Sequence, residues 1–167
     1  MPDLEPRIED HVLALDRVIE ATPEEAYAAF TEPAQLDQWW GPDGYTTVTH
    51  AHDFRRGGVW HYTLVADPGS GGMDASVKAY YQRIEAPGLL AYRDTFVDET
   101  GTRFDGSPEI DVEIRFRAVA DGTHVLMTST FASSDLLQQI VERGMVQGLS
   151  QAFRNLDRLL ARRRATN

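Results

Sequence analysis

The sequence predicts an α+β fold in which a curved six- to seven-stranded antiparallel sheet wraps around a long C-terminal helix, with two short helices after the first strand. Three observations lead there. Between Tyr45 and Phe131, short β-favouring segments alternate with turn-rich separators. After Phe131 the apolar period changes to steps of three and four and stays there almost to the end. Before Tyr45, one β-like segment is followed by two proline-led helix starts.

His11 to Glu20 alternates loosely and reads as the first strand. Thr22-Pro23-Glu24-Glu25 then carries an N-cap, a proline suited to the first helical position and the glutamate of a capping box. Glu32-Pro33 interrupts that helix and starts a second one through Leu36, Trp39 and Trp40, which Gly41-Pro42 ends. Six further strands are expected at about Tyr45–Phe54, Val59–Ala66, Ala75–Glu85, Leu89–Val97, Glu109–Ala118 and Thr123–Phe131. Their links include Arg56-Gly57-Gly58, the Asp67–Gly72 loop, Ala86-Pro87-Gly88 and Asp121-Gly122, which are short enough to favour antiparallel neighbours. Ser133-Ser134-Asp135 caps a last helix of about 30 residues, roughly 45 Å long. Its stripe runs through Leu137, Ile140, Val141, Met145, Leu149, Phe153, Leu156 and Leu160. Gly144 and Gly148, on or beside that stripe, point to close packing or a thinned wall above a cavity, because glycine costs roughly 1 kcal/mol in a helix interior. No repeat or linker interrupts the order, so one domain over residues 1–167 is expected, with an ordered core of about 8–163.

Bulk chemistry excludes several functions. There are 0 cysteines, which removes disulfides, thiolate catalysis and zinc–thiolate sites. A net charge of −10 opposes nucleic-acid binding, which needs cations to displace counterions. The dense basic run Arg162-Arg163-Arg164 ends the last helix, where positive charge suits the helix dipole. No apolar run reaches the roughly 20 residues of a membrane span. Met1 to Glu5 carries neither a basic region nor an apolar signal core, so a cytoplasmic protein without membrane insertion is expected.

An apolar sheet face covered by one narrow helix leaves space that side chains alone do not fill, and pockets form in such places. Alternation assigns residues to that face. Trp60, Tyr62 and Leu64 share it after Gly57-Gly58, and Phe116 closes the run Ile110-Val112-Ile114. Tyr92 and Phe96 share a face with Asp94, while Val77, Ala79 and Tyr81 share one with Arg83. If Tyr81 and Tyr92 point inward, Arg83 and Asp94 follow them. A buried charge is costly unless paired, so an Arg83–Asp94 contact across neighbouring strands is expected, either anchoring a polar group of a ligand or serving as a structural ion pair. Arg17, between Leu15 and Ile19, raises the same question. Trp39 and Trp40 either complete the core or divide the roles of plugging the sheet and closing a pocket mouth. Met127 and Met145 suit an adaptable cavity or ordinary gap filling. With Leu149 and Phe153 from the helix, these residues form the candidate ligand cavity.

Catalytic and metal chemistry find little support. His50-Ala51-His52 would place two imidazoles on one strand face about 7 Å apart, with His61 or Asp53 as conceivable further ligands, but no firm metal spacing is present. Ser76, Ser129 and Thr130 lack a nucleophile-elbow context. The Asp67–Gly72 loop joins two strands and does not open a helix, which rules out a phosphate loop. No catalytic residue, metal or cofactor is assigned.

Several strings extend the reading: Ala21-Thr22-Pro23-Glu24-Glu25-Ala26-Tyr27, Glu32–Pro42 with its Trp39-Trp40-Gly41-Pro42, Asp53–Gly58, and Ile84-Glu85-Ala86-Pro87-Gly88-Leu89-Leu90. With the helix from Gly144, they resemble the SRPBCC superfamily, the START-like or birch-pollen-allergen-like helix-grip proteins. The nearer likeness is to the branch named after the activator of the heat-shock-protein-90 ATPase. The resemblance covers nearly the whole chain and implies the helix-grip fold and a binding cavity. Many relatives carry Trp where Met145 stands and Gly where Ala79 stands, and both changes reshape a pocket, so no particular ligand is implied. Three roles follow. The first is binding of a small apolar or amphipathic ligand, driven by apolar burial at about 25 cal/mol per Å² before ordering costs. The others are an enzyme of the polyketide cyclase, dehydratase or hydrolase type, and a co-chaperone-like interaction module. A homodimer through an edge strand or the last helix is compatible with each.

Overall fold

The computed structural model describes residues 6–166. Eight strands form one open antiparallel sheet: β1 (Arg7–Glu9), β2 (Val12–Ile19), β3 (Tyr45–His52), β4 (Val59–Ala66), β5 (Ala75–Glu85), β6 (Leu89–Val97), β7 (Glu109–Val119) and β8 (Gly122–Thr130). Helices α1 (Pro23–Thr31) and α2 (Pro33–Trp39) follow β2, while α3 (Ser134–Glu142) and α4 (Met145–Ala165) close the chain. The sheet order is β1-β2-β8-β7-β6-β5-β4-β3. Strands β3 to β8 form a meander, and β2 returns beside β8, so the first and last long strands are neighbours.

The expected turns and caps hold these boundaries. The Thr22 hydroxyl accepts from the Glu25 amide at 3.1 Å and the Glu25 carboxylate accepts from the Thr22 amide at 3.0 Å, closing the capping box of α1. Pro33 at the start of α2 forces the break at Glu32. Helix α1 packs on β7 and β8, and α2 on β3 and α4. The indole of Trp39 donates to the Ala29 carbonyl at 2.8 Å, and its ring meets those of Phe30 and Phe153 edge-on or tilted at 4.8 and 5.9 Å. This aromatic knot joins α1, α2 and α4.

Three expectations need correction. An eighth strand, β1, precedes the first one foreseen. It is three residues long and fully exposed, so it carries no alternation to read. The last helix is two helices. Gly144 adopts φ +99°, a left-handed conformation open to glycine, and divides α3 from α4. The third concerns faces. Bulges shift the register between Thr49 and Ala51 on β3 and between Tyr81 and Arg83 on β5; the first separates two histidines expected on one face, and the second turns the predicted inward Arg83 over.

Candidate functional site

The helix-covered face of the sheet is read directly from the pairing. One cross-strand row runs Trp60–Ala79–Asp94–Ile110, from β4 to β7. The row on one side is Tyr62–Val77–Phe96, and on the other Tyr81–Tyr92–Val112. All of these residues except Asp94 and Phe96 are fully buried. Aromatic rings line the β4–β6 part. Trp60 stacks on Tyr62 at 4.0 Å, Trp40 meets Trp60 edge-on at 5.9 Å, and Tyr81 meets Tyr92 at 6.4 Å.

Arg83 does not join them. The bulge pairs it with Ala91 in place of a Tyr92 neighbour, so it faces outward. Its side chain is 53% exposed and bridges Glu85 at 2.7 Å and Glu113 at 3.7 Å. The expected Arg83–Asp94 pair is therefore absent, and Arg83 leaves the candidate cavity. The bulge on β3 likewise separates the two imidazoles foreseen on one face. His50 turns outward to Thr63, with Nε2 2.7 Å from Oγ1, and its ring lies tilted against that of His61 at 4.9 Å. His52 turns inward, its Nε2 3.0 Å from the Tyr81 hydroxyl and its ring stacked on Phe54. Among the described residues no cluster could hold a metal ion. Burial lowers the His52 pKa from its ordinary value, which keeps that ring neutral.

Asp94 is left without a counter-ion. Its Oδ1 is inaccessible and has no hydrogen-bond partner. Burial raises its carboxyl pKa to about 7. The phenols of Tyr62, Tyr81 and Tyr92 are all pushed up from their ordinary value, first by burial and then by the charge of Asp94, so the three rings lie within electrostatic reach of it. Part of the Asp94 surface stays uncovered, while its Oδ1 is inaccessible.

The other inward charge, Arg17, is held differently. It lies between Leu15 and Ile19 as expected, its side chain is 6% exposed, and its Nη2 meets the Asp157 carboxylate of α4. Nε and Nη1 have no partner. Burial raises the Asp157 pKa, and Arg17 opposes that rise.

Coverage also differs along α4. From Ala152 onward its inward residues Phe153, Leu156, Leu159 and Leu160 are buried, whereas Met145, Val146 and Leu149 in the first turns keep uncovered surface. Sheet residues with the same property include Leu64, Asp94 and Phe96, and also Thr49, His52 and Ile84. Just outside, a depression of about 380 Å³ opens between the Pro42–Tyr45 turn, Met73 and the Gly144–Gly148 segment, with Leu64 in its wall. Gly148 lies beside the turn, where a Cβ would meet Pro42 in ordinary contact at 3.5 Å, and the Gln151 side chain accepts from the Asp43 amide at 2.9 Å.

The structure thus brings Trp40, Trp60, Tyr62, Tyr81, Tyr92, Asp94 and Phe96 to one part of the inner face. Trp39, Phe116 and Phe153 belong to the aromatic knot, and Met127 is buried opposite Ile114. Sequence reasoning missed His52 as an inward residue, and only the β3 bulge reveals it.

The profile of the family described as Activator of Hsp90 ATPase homolog 1-like protein matches residues 20–161. Among solved structures, a Mycobacterium smegmatis protein superposes with a TM-score of 0.85 at 24% identity, over 95% of this chain and 96% of that one. An Arthrobacter aurescens protein reaches a TM-score of 0.85 at 26% identity, over 96% and 91%. The Silicibacter pomeroyi protein titled AHSA1 reaches 0.69 at 22%, over 90% and 97%. No curated protein matches the chain.

Proposed function

Because the chain belongs to the Activator of Hsp90 ATPase homolog 1-like family, we propose that it acts as one helix-grip domain that binds a small hydrophobic or amphipathic molecule between the β4–β6 part of the sheet and the first turns of α4. The observation that carries this reading is apolar surface left incompletely covered on the helix-facing side of the sheet and on the first turns of α4. Leu64, Phe96, Met145 and Leu149 face inward from opposite walls and are left incompletely covered, beside a carboxyl group without a partner. Protein interiors close-pack, and a buried polar atom without a partner calls for an unrecorded one. An occupant of this space answers both. The depression beside Leu64 and Gly148 offers the way in, and the Gly144 break lets the start of α4 shift without disturbing the sealed half.

Titration with the neutral fluorophore N-phenyl-1-naphthylamine tests the reading. Saturable, blue-shifted emission is expected, weakened at least tenfold in Leu149→Trp, which fills the space. Absence of saturable binding overturns it. Native mass spectrometry of protein from its own source would then report the occupant's mass and the subunit count.

One observation favours a second reading, an enzyme on the same frame. A carboxyl group held near pH 7 beside the Tyr81–His52 contact is placed for proton transfer. A bound molecule recovered chemically altered, with loss of that conversion in Asp94→Asn, would select it.

A further inference from the structure

The character of the occupant follows from what surrounds Asp94. Charges on the inner face are few. Arg17 lies on β2 and is already matched by Asp157. Arg83 has left the face, and burial holds His52 neutral. The rows around Asp94 contribute Trp60, Ala79, Ile110, Tyr81, Tyr92 and Phe96, none of them cationic. Residues Met145 to Phe153, which cover this end from α4, include no ionisable side chain. Among the described residues, the protein therefore supplies no cation to a carboxylate turned inward.

Aromatic residues occupy the row of Asp94 and the rows on either side of it. Trp60 and Asp94 occupy one cross-strand row with only Ala79 between them, which places their backbones roughly 10 Å apart, two strand spacings. That gap suits an organic head group held between an indole and a carboxylate. Tyr62 stacks against Trp60, and Tyr81 and Tyr92 flank the row on the other side. Faces of Trp and Tyr attract cations, most strongly where water is excluded. The overall charge of −10 also raises the local concentration of cations around the molecule.

We propose that the occupant of this site is a hydrophobic amine, whose ammonium group pairs with Asp94 against the faces of Trp60 and the neighbouring tyrosines while its apolar body lies along Leu64, Phe96 and Leu149. The inference rests on the binding role proposed above and specifies the ligand's class. Burial that keeps the empty site's carboxyl near half-protonated at pH 7 fits it, since the charge develops fully when a partner cation arrives.

Three probes of one shape make the test: 4-phenylbutylamine, 4-phenylbutanol and 4-phenylbutyrate, titrated into the full chain at pH 8 and followed by amide chemical shifts. The amine is expected to bind at least tenfold more tightly than the alcohol, and the carboxylate more weakly than either. Asp94→Asn is expected to erase the amine's advantage, read as the ratio of amine to alcohol affinity within the same variant. The native protein provides a second measurement that needs no variant: at pH 6, where the free carboxyl is largely protonated, the Asp94 carboxyl ¹³C shift should move to its ionised position with the amine and not with the alcohol. Alcohol binding as tight as amine binding, or an amine advantage that survives Asp94→Asn, overturns the amine assignment while leaving the binding role intact. If none of the three binds, the binding role falls, and the amine assignment with it.

Discussion

Arg17 and Asp94 are charged side chains that two strands of one sheet turn toward the helices, and their surroundings are opposites. Around Arg17, Leu13, Leu15, Ile19, Val125 and Leu156 are all but fully buried, and α4 brings a carboxylate to the guanidinium. Around Asp94 the walls are aromatic, the covering turns of α4 are incompletely buried, and no charge answers. One half of the interior is completed by the chain itself. The other is aromatic and incompletely covered, which is where the proposed ligand would lie. Four perturbations test that contrast.

The largest effect is expected where the chain has matched its own charge. Asp157→Ala strands Arg17 as an uncompensated buried cation and should cost about 3–5 kcal/mol, read by urea unfolding. A loss below 1 kcal/mol would mean that water reaches Arg17 and that the half assigned as sealed is open. Next come matched truncations along α4. Leu156→Ala removes a fully buried side chain and should cost about 3 kcal/mol, whereas Leu149→Ala, already partly uncovered, should cost about 1 kcal/mol. Equal costs would erase the distinction between the two halves.

Asp94→Asn should act in the opposite direction. The native carboxyl binds its proton up to about pH 7, while an ordinary Asp carboxyl releases it near 3.8. Between those values the unfolded chain holds fewer protons, so wild-type stability falls as pH rises through the window and stays low above it. The linkage alone is worth about 4 kcal/mol, since each pKa unit is about 1.4 kcal/mol. Relaxation and water reduce it, so the variant should be about 2 kcal/mol more stable than wild type at pH 8 and nearly equal at pH 4. Unfolding curves at the two pH values check this, and a difference independent of pH would show that Asp94 is solvated.

Much of this was legible in the sequence, for identifiable reasons. The strand limits Val59–Ala66, Ala75–Glu85 and Leu89–Val97 agree with expectation because glycine-rich turns and alternation mark both ends. Asp94 was correctly turned inward, since β6 has no bulge before it and parity survives from Tyr92. The division at Gly144 was hidden because the apolar stripe continues across one left-handed residue almost unchanged in phase. Wall coverage was hidden as well, because it depends on how far α4 stands from particular strands, which periodicity does not record.

The smallest expected effect concerns the error that matters most for the site. Nothing in Tyr80-Tyr81-Gln82-Arg83 announces a bulge: an extra residue in a strand changes parity without needing glycine or proline. Counting in twos from Tyr81 therefore puts Arg83 on the inner face with Asp94, and the structure puts it on the wet face between Glu85 and Glu113. The two placements predict different outcomes for Arg83→Ala. An inward partner of Asp94 would cost several kcal/mol on removal and would change binding of an apolar probe. An exposed bridge should cost at most about 0.5 kcal/mol and leave binding of N-phenyl-1-naphthylamine unaltered. A larger loss of stability, or altered binding, would return Arg83 to the interior, supply Asp94 with its missing cation and remove the reason for the site to attract an amine.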